Sequence, residues 1–165
     1  MGKHHAYIGF GSNLGNRLEN CRNAIEQLTA LPTCILLKTS SFYETDPVGL
    51  VEQPSFINGV VLLETAEDAH WLLRRMLKIE TGFGRMRTLK WGPRSIDLDL
   101  LFFDDLIIEL PELSVPHPLL HERRFVLEPL NEISPSFRHP SLGKTVAELL
   151  AGLKDGNQRV EVLIT

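Results

Sequence analysis

Two hydrophobic spacings alternate along the chain. Residues 5–10 (His-Ala-Tyr-Ile-Gly-Phe) form an apolar run that reads as a first strand, and Gly11 to Asn16 reads as a turn. Leu18, Cys21, Ile25 and Leu28 then recur at the 3.6-residue period of an amphipathic helix, which Pro32 ends. Residues 34–44 read as a strand, 45–55 as a loop carrying two prolines and a glycine, and 56–64 as a third strand. Thr65-x-x-Asp68 resembles a capping box opening a helix to about Glu80, with Leu72, Leu73, Met76 and Ile79 inward. Residues 81–94 form a Gly/Pro-containing basic loop. Ser95–Phe103 is the clearest strand, followed by a turn at Asp104-Asp105 into a short partner strand, Leu106–Ile108. Pro111 to Pro118 is extended or looped, Leu119–Val126 and Thr145–Leu153 are short helices, and Arg159–Ile164 is a last strand. Two strand-helix-strand units with interspersed hairpins predict an α+β domain with helices layered on a mostly antiparallel sheet.

Composition narrows the class. A chain of 165 residues, 43% hydrophobic and 23% charged, predicts one globular domain over 1–165 with a core large enough to stand without disulfides. No apolar run approaches 18 residues, and no signal-peptide stretch opens the chain. With only Cys21 and Cys34 present, two reduced, buried thiols in a cytoplasmic protein are expected. The net charge of −4 conceals an asymmetry: seven of the 17 Lys/Arg lie within residues 74–94, against a single acid, Glu80. A concentrated cationic segment in an acidic chain points to a local anionic ligand rather than to nucleic acid.

The chemistry concentrates in residues 84–103. In Ser95–Phe103 the alternation sends Ile96, Leu98, Leu100 and Phe102 to one face and Asp97 and Asp99 to the other, about 7 Å apart at roughly 3.3 Å per residue. Leu101 and Phe103 share the Asp face, so that face is partly covered. Two carboxylates leaning to about 5 Å repel by roughly 3 kcal/mol at an effective dielectric of 20. A hard cation removes the repulsion, and Mg²⁺ suits one or two carboxylates with positions left for water and phosphate. The preceding Arg85, Arg87, Lys90 and Arg94 set cationic groups beside them, with guanidinium forks matched to phosphate oxygens. Trp91 in that loop can anchor it or stack on a base. Among the histidines, His117 is held in the stiff frame Pro116-His117-Pro118. Gly143-Lys144-Thr145 lacks the earlier glycine of a P-loop, and Gly9-x-Gly11 with Gly15 misses the dinucleotide spacing by one residue.

Several segments together resemble one family: Gly11-Ser-Asn-Leu14, Phe42-Tyr-Glu-Thr-Asp-Pro-Val-Gly49, Gln53-Pro-x-Phe-Ile-Asn58, Gly84-Arg-x-Arg87, Trp91-Gly-Pro-Arg-x-Ile-Asp-Leu-Asp-Leu100, and Val115-Pro-His-Pro118 with Glu122-Arg-x-Phe125. They look like 6-hydroxymethyl-7,8-dihydropterin pyrophosphokinase, with Trp-Gly-Pro-Arg-x-x-Asp-x-Asp the most specific part. The resemblance implies a ferredoxin-like α+β fold and transfer of the β,γ-pyrophosphoryl group of ATP to a pterin hydroxymethyl, releasing AMP, in folate synthesis. It implies that Asp97 and Asp99 hold two Mg²⁺ ions. By the same resemblance Asp97, Asp99, Arg85 and Arg94 would form the catalytic set. Arg85, Arg87, Trp91, Arg94, Leu100, Ser114, His117 and Arg123 would bind ATP, and Thr45, Val48, Phe56, Asn58 and Phe125 the pterin. Phe56 and Phe125 would sandwich the ring, and Asn58 would read its polar edge, with the backbone at Thr45 and Val48. ATP and the pterin are the implied partners of a monomer without nucleic acid or membrane. Lys90 departs from the arginine common before the tryptophan and keeps the charge without the fork. Two other readings share part of this pattern. An RNA-binding module would use the basic loop and Trp91, and a metal-dependent phosphoesterase would use the carboxylates without the aromatic pair.

Overall fold

A computed structural model of the protein describes residues 2–47, 52–83, 95–154 and 158–163. Its main sheet runs β5-β1-β4-β3-β8, with β2 also paired to β4. The strands are β1 (His4–Ser12), β2 (Cys34–Thr39), β3 (Tyr43–Thr45), β4 (Phe56–Thr65), β5 (Asp97–Phe103) and β8 (Val160–Val162). A separate two-stranded ribbon joins β6 (Ile108–Glu109) to β7 (Ser114–Val115). The paired strands of the main sheet run antiparallel. This is the expected ferredoxin-like α+β arrangement.

Helices cover both faces of the sheet. On one face, α1 (Arg17–Thr29) and α2 (Ala69–Gly82) bury Cys21, Ala24, Leu28, Leu72, Met76 and Ile79 against Ala6, Ile8 and Phe10 of β1 and Ile57, Val61 and Leu63 of β4. On the other, α3 (Arg124–Ile133) and α4 (Val146–Ala151) lay Val126, Leu127, Leu130, Val146 and Leu149 over Tyr7, Val60, Leu62, Leu101 and Phe102. β4 is therefore apolar on both sides, as a central strand covered twice must be. Among the described residues no helix is long and apolar enough to cross a membrane.

Several boundaries differ from the pattern-based reading. The turn placed at Gly11 starts later, because Gly11 and Ser12 still pair with Asn58 and Ile57. The single strand over 34–44 is two, β2 and β3, both paired to β4. Thr65 closes β4 rather than capping α2; Asp68 is the cap, its carboxylate accepting from the Trp71 N–H at 2.8 Å. The partner strand placed at 106–108 begins at Ile108 and pairs with β7, not β5. The helix placed at 119–126 is a short 3-10 turn at Leu120–Glu122 followed by α3, which runs on to Ile133 through Pro129. The capping box Thr145/Glu148 does form at α4.

One correction bears on the site. Tyr7 pairs with Phe102, but Ile8 pairs with Leu100, so Leu101 is an extra residue in β5. This bulge reverses the alternation beyond it. Ile96, Leu98 and Leu100 face α1 and α2 as expected, whereas Phe102 turns to the opposite core and Phe103 takes its place.

Candidate active site

A row of residues crosses four strands on the α3 side of the sheet. Thr45 of β3 sits opposite Phe56 of β4, Asn58 opposite Gly11 of β1, and Gly11 and Gly9 opposite Asp97 and Asp99 of β5. Because side chains repeat every second residue in a strand, all point into one space. They floor a cavity of about 460 Å³. Its opposite wall is the connection into α3, with His117, Leu119, Glu122 and Arg123, and the start of that helix, with Phe125 and Val126. The His117 N–H donates to the Leu101 carbonyl at 2.9 Å, which fastens this wall to the bulge of β5.

The two ends of the cavity differ in chemistry. Asp97 and Asp99 are half-buried at one end. Between them the Leu98 N–H, on the outer edge of the sheet, donates to the carboxylate of Glu80 at 2.9 Å. Glu80 is 4% exposed on α2, so a buried acid fixes the strand that carries the pair. At the other end Asn58 is 8% exposed and its carbonyl accepts from the Thr45 hydroxyl at 2.6 Å. Its amide nitrogen donates to the Phe10 carbonyl at 3.3 Å and has a second N–H for a ligand. Phe56 and Phe125 line the same cavity, and the Arg123 guanidinium lies 5.5 Å from the Phe125 ring centre.

His117 is neutral here. Burial, and then the nearby Arg123 cation, push its pKa down to about 4. Its Nδ1 accepts from the Leu119 N–H at 3.1 Å, so the ring proton sits on Nε2. The side chain is thus a neutral hydrogen-bond donor.

The cavity therefore gathers Asp97, Asp99, Thr45, Phe56, Asn58, Phe125, His117 and Arg123 from the anticipated set. Leu100 and Ser114 do not line it: the Leu100 side chain packs in the α1/α2 core, and Ser114 is exposed on β7. Val48, Arg85, Arg87, Trp91 and Arg94 lie outside the described residues.

Comparison with known proteins follows this geometry. The profile of the 7,8-dihydro-6-hydroxymethylpterin-pyrophosphokinase family matches residues 7–135. The chain belongs to that family.

The 2-amino-4-hydroxy-6-hydroxymethyldihydropteridine pyrophosphokinase of Pseudomonas aeruginosa is 41% identical over 145 residues, covering 88% of this chain and 89% of that one. A folic acid synthesis protein of Dictyostelium discoideum is 39% identical over 155 residues, covering 94% of this chain. Among solved structures, a triple-mutant HPPK-DHPS of Plasmodium falciparum superposes with a TM-score of 0.73 over 91% of this chain at 17% identity, a likeness of fold. The chain spans 23% of the length of the Dictyostelium protein and 43% of the Plasmodium chain.

For this pyrophosphokinase-family chain, sequence reasoning passed over Gly9, Gly11, Asp46 and Glu122, all of which line the cavity. The signal for the glycines was the Gly9-x-Gly11 pair itself, on the face shared with the carboxylates. A Cβ on Gly11 would stand 2.4 Å from the Asn58 amide nitrogen, so only glycine lets Asn58 lie across β1.

Proposed function

We propose that the protein is an ATP-dependent pterin pyrophosphokinase of folate synthesis, acting in the cavity built on β1, β3, β4 and β5. One observation carries the assignment of roles. A carboxylate pair on β5 and the amide and ring of Asn58 and Phe56 on β4 share one floor, with only β1 between them, and Phe125 of α3 faces the same cavity. A phosphate-rich ligand and a flat heteroaromatic ring with an amide edge can lie side by side there. Phe56 and Phe125 take the faces of the pterin. Asn58, tied by Thr45, presents its free N–H to the ring edge and discriminates against rings lacking that acceptor. His117 Nε2–H and the Arg123 guanidinium face the phosphates, together with Arg85, Arg87 and Arg94 of the basic segment. Trp91 belongs to the same nucleotide set, as do Leu100 and Ser114 through backbone or border contacts, and Val48 to the pterin set.

The donor set fits Mg²⁺. Two strand carboxylates line one cavity, and no group of three or more acidic, His or Cys side chains is placed to hold a metal among the described residues. That suits an ion that keeps water and substrate phosphate in its shell rather than an all-protein cage. Asp97 and Asp99 would hold two such ions, which neutralise charge on the triphosphate when bound. The pterin hydroxyl oxygen forms a bond to the β-phosphorus. The bond from that phosphorus to the α,β-bridging oxygen breaks and AMP leaves, while the hydroxyl proton passes to Asp97 or solvent. The protein's contribution is positioning and electrostatics: strand carboxylates fixed by Glu80, cations along the phosphates, and a ring held flat. We further propose one domain over residues 1–165, monomeric and cytoplasmic, consistent with two buried, unpaired cysteines.

Incubation with Mg-ATP and 6-hydroxymethyl-7,8-dihydropterin tests this directly. AMP forms in step with pterin diphosphate; ADP as the nucleotide product contradicts it. Asp97→Ala and Asp99→Ala each lower turnover at least ~100-fold with the far-ultraviolet circular dichroism unchanged.

A further inference from the structure

The C-terminal strand grips the pterin side of the cavity. β3 is only three residues long, and β8 pairs along all of it: Tyr43 with Val162, Glu44 with Glu161, Thr45 with Val160. Past the end of β3 the grip tightens on Asp46, which lines the cavity. The Asp46 N–H donates to the Arg159 carbonyl at 3.1 Å. The Asp46 carbonyl accepts from the Gln158 amide at 2.9 Å. One carboxylate oxygen accepts from the Arg159 N–H at 3.0 Å and the other from Arg159 Nε at 3.1 Å. Every polar atom of Asp46 is thus engaged by two consecutive residues of the C-terminal segment. These contacts hold the Asp46 carboxyl below the usual range.

Arg159 also reaches across β3. Its Nη1 lies 3.7 Å from the Glu44 carboxylate, whose other oxygen accepts from Arg17 at 3.0 Å and from the Ser55 hydroxyl at 2.9 Å. Arg17 in turn donates to the Ser55 carbonyl at 3.0 Å, immediately before Phe56. Through the Glu44 carboxylate, Arg159 is thus joined to the Arg17 and Ser55 contacts that stand immediately before Phe56. β8 and β5, which carries Asp97 and Asp99, are the opposite edges of the main sheet, with β1, β4 and β3 between them. β8 also lies beyond the residues matched by the family profile, which end at 135.

We infer that Arg159, with the segment 158–163, is a positioning element for the pterin subsite: it holds the Thr45–Asp46 wall and the Phe56 approach in binding geometry, and it sets affinity for the pterin but not for the nucleotide. The inference rests on the pyrophosphokinase reading above. A C-terminal strand that merely closed the sheet would lower stability and move both substrates alike.

Steady-state kinetics of AMP formation, varying each substrate in turn, separates the cases. In Arg159→Ala the KM for the pterin rises about fivefold, the scale of one partly exposed charged contact. The KM for ATP and kcat stay within twofold. Arg159→Lys falls between Ala and wild type, since it keeps the charge near Glu44 but loses the Nε contact. A chain ending at Asn157 loses the backbone ladder as well and shows a pterin KM raised at least ~10-fold. Should that truncation fail to fold, the two point variants decide. An unchanged pterin KM in Arg159→Ala overturns the inference. So do pterin and ATP constants rising in proportion, or losses that track the unfolded fraction by circular dichroism. Absence of AMP from the wild type with both substrates present overturns instead the pyrophosphokinase reading.

Discussion

His117 shows how burial, with a cation nearby, sets the charge of a side chain. An exposed imidazole is part-charged at neutral pH, and a cation beside Arg123 would be repelled from it. With its pKa pushed down to about 4, His117 stays uncharged, and the Leu119 N–H on Nδ1 fixes the tautomer. The unfolded chain protonates this ring near 6.5 and the folded protein near 4. Between these values the unfolded state binds more protons, so the contribution of His117 to stability is full above pH 6.5 and is lost as pH falls toward 4. Urea unfolding at pH 7 and pH 4.5 measures it. The wild type loses roughly 2 kcal/mol more over that interval than His117→Asn. The shifts at Glu44 and Asp46 run through a lower window, near and below their ordinary carboxylate values, and separate from it.

Two glycines on neighbouring strands make opposite predictions at the level of the elements. Gly11 in β1 leaves room on the cavity face for Asn58 of β4; Gly59 in β4 leaves room on the core face for Phe10 of β1. A Cβ at Gly59 would stand 2.2 Å from the end of the Phe10 ring. Gly11→Ala pushes the Asn58 amide off the Phe10 carbonyl and away from Thr45, so pterin affinity falls about tenfold while nucleotide affinity holds. Gly59→Ala overpacks the α1/α2 core and costs about 1–3 kcal/mol of stability, with substrate affinities retained. Titration calorimetry with each ligand and thermal unfolding of both variants distinguish them. The bulge at Leu101 belongs to the same scale. It lets β5 keep Asp97 and Asp99 on the cavity face near one end and still supply Phe102 to the α3/α4 core at the other.

In the whole molecule, the sheet is a shared wall between two cores, and the cavity lies between that wall and the N-terminal end of α3. A ligand there contacts four strands and the connection into α3 at once, so binding stabilises the entire fold by mass action. A non-hydrolysable Mg-ATP analogue at about 100 times its Kd adds about 2.7 kcal/mol. For a chain of this length that raises Tm by roughly 5–10 °C. Scanning calorimetry should show the shift, its loss on adding a chelator, and its absence in Asp97→Ala.

Much of this was legible along the chain. The 3.6-residue spacing of Leu18, Cys21, Ile25 and Leu28 and the apolar runs of β1 and β4 report burial that adjacent residues share, and periodicity encodes that locally. The Asp97/Asp99 alternation placed the carboxylates on one face for the same reason. The resemblance marked Phe56, Asn58, Phe125 and His117 because those residues stand in recognisable segments. What no local pattern contains is pairing between distant strands. The bulge at Leu101, the closeness of Gly11 to Asn58, the buried Glu80 bonded to Leu98, and the closure of Asp46 by Arg159 each join residues far apart in the chain. Each depends on a register that forms only when the strands meet, because hydrogen bonds and close contacts across a sheet are set by the partner as much as by the residue itself.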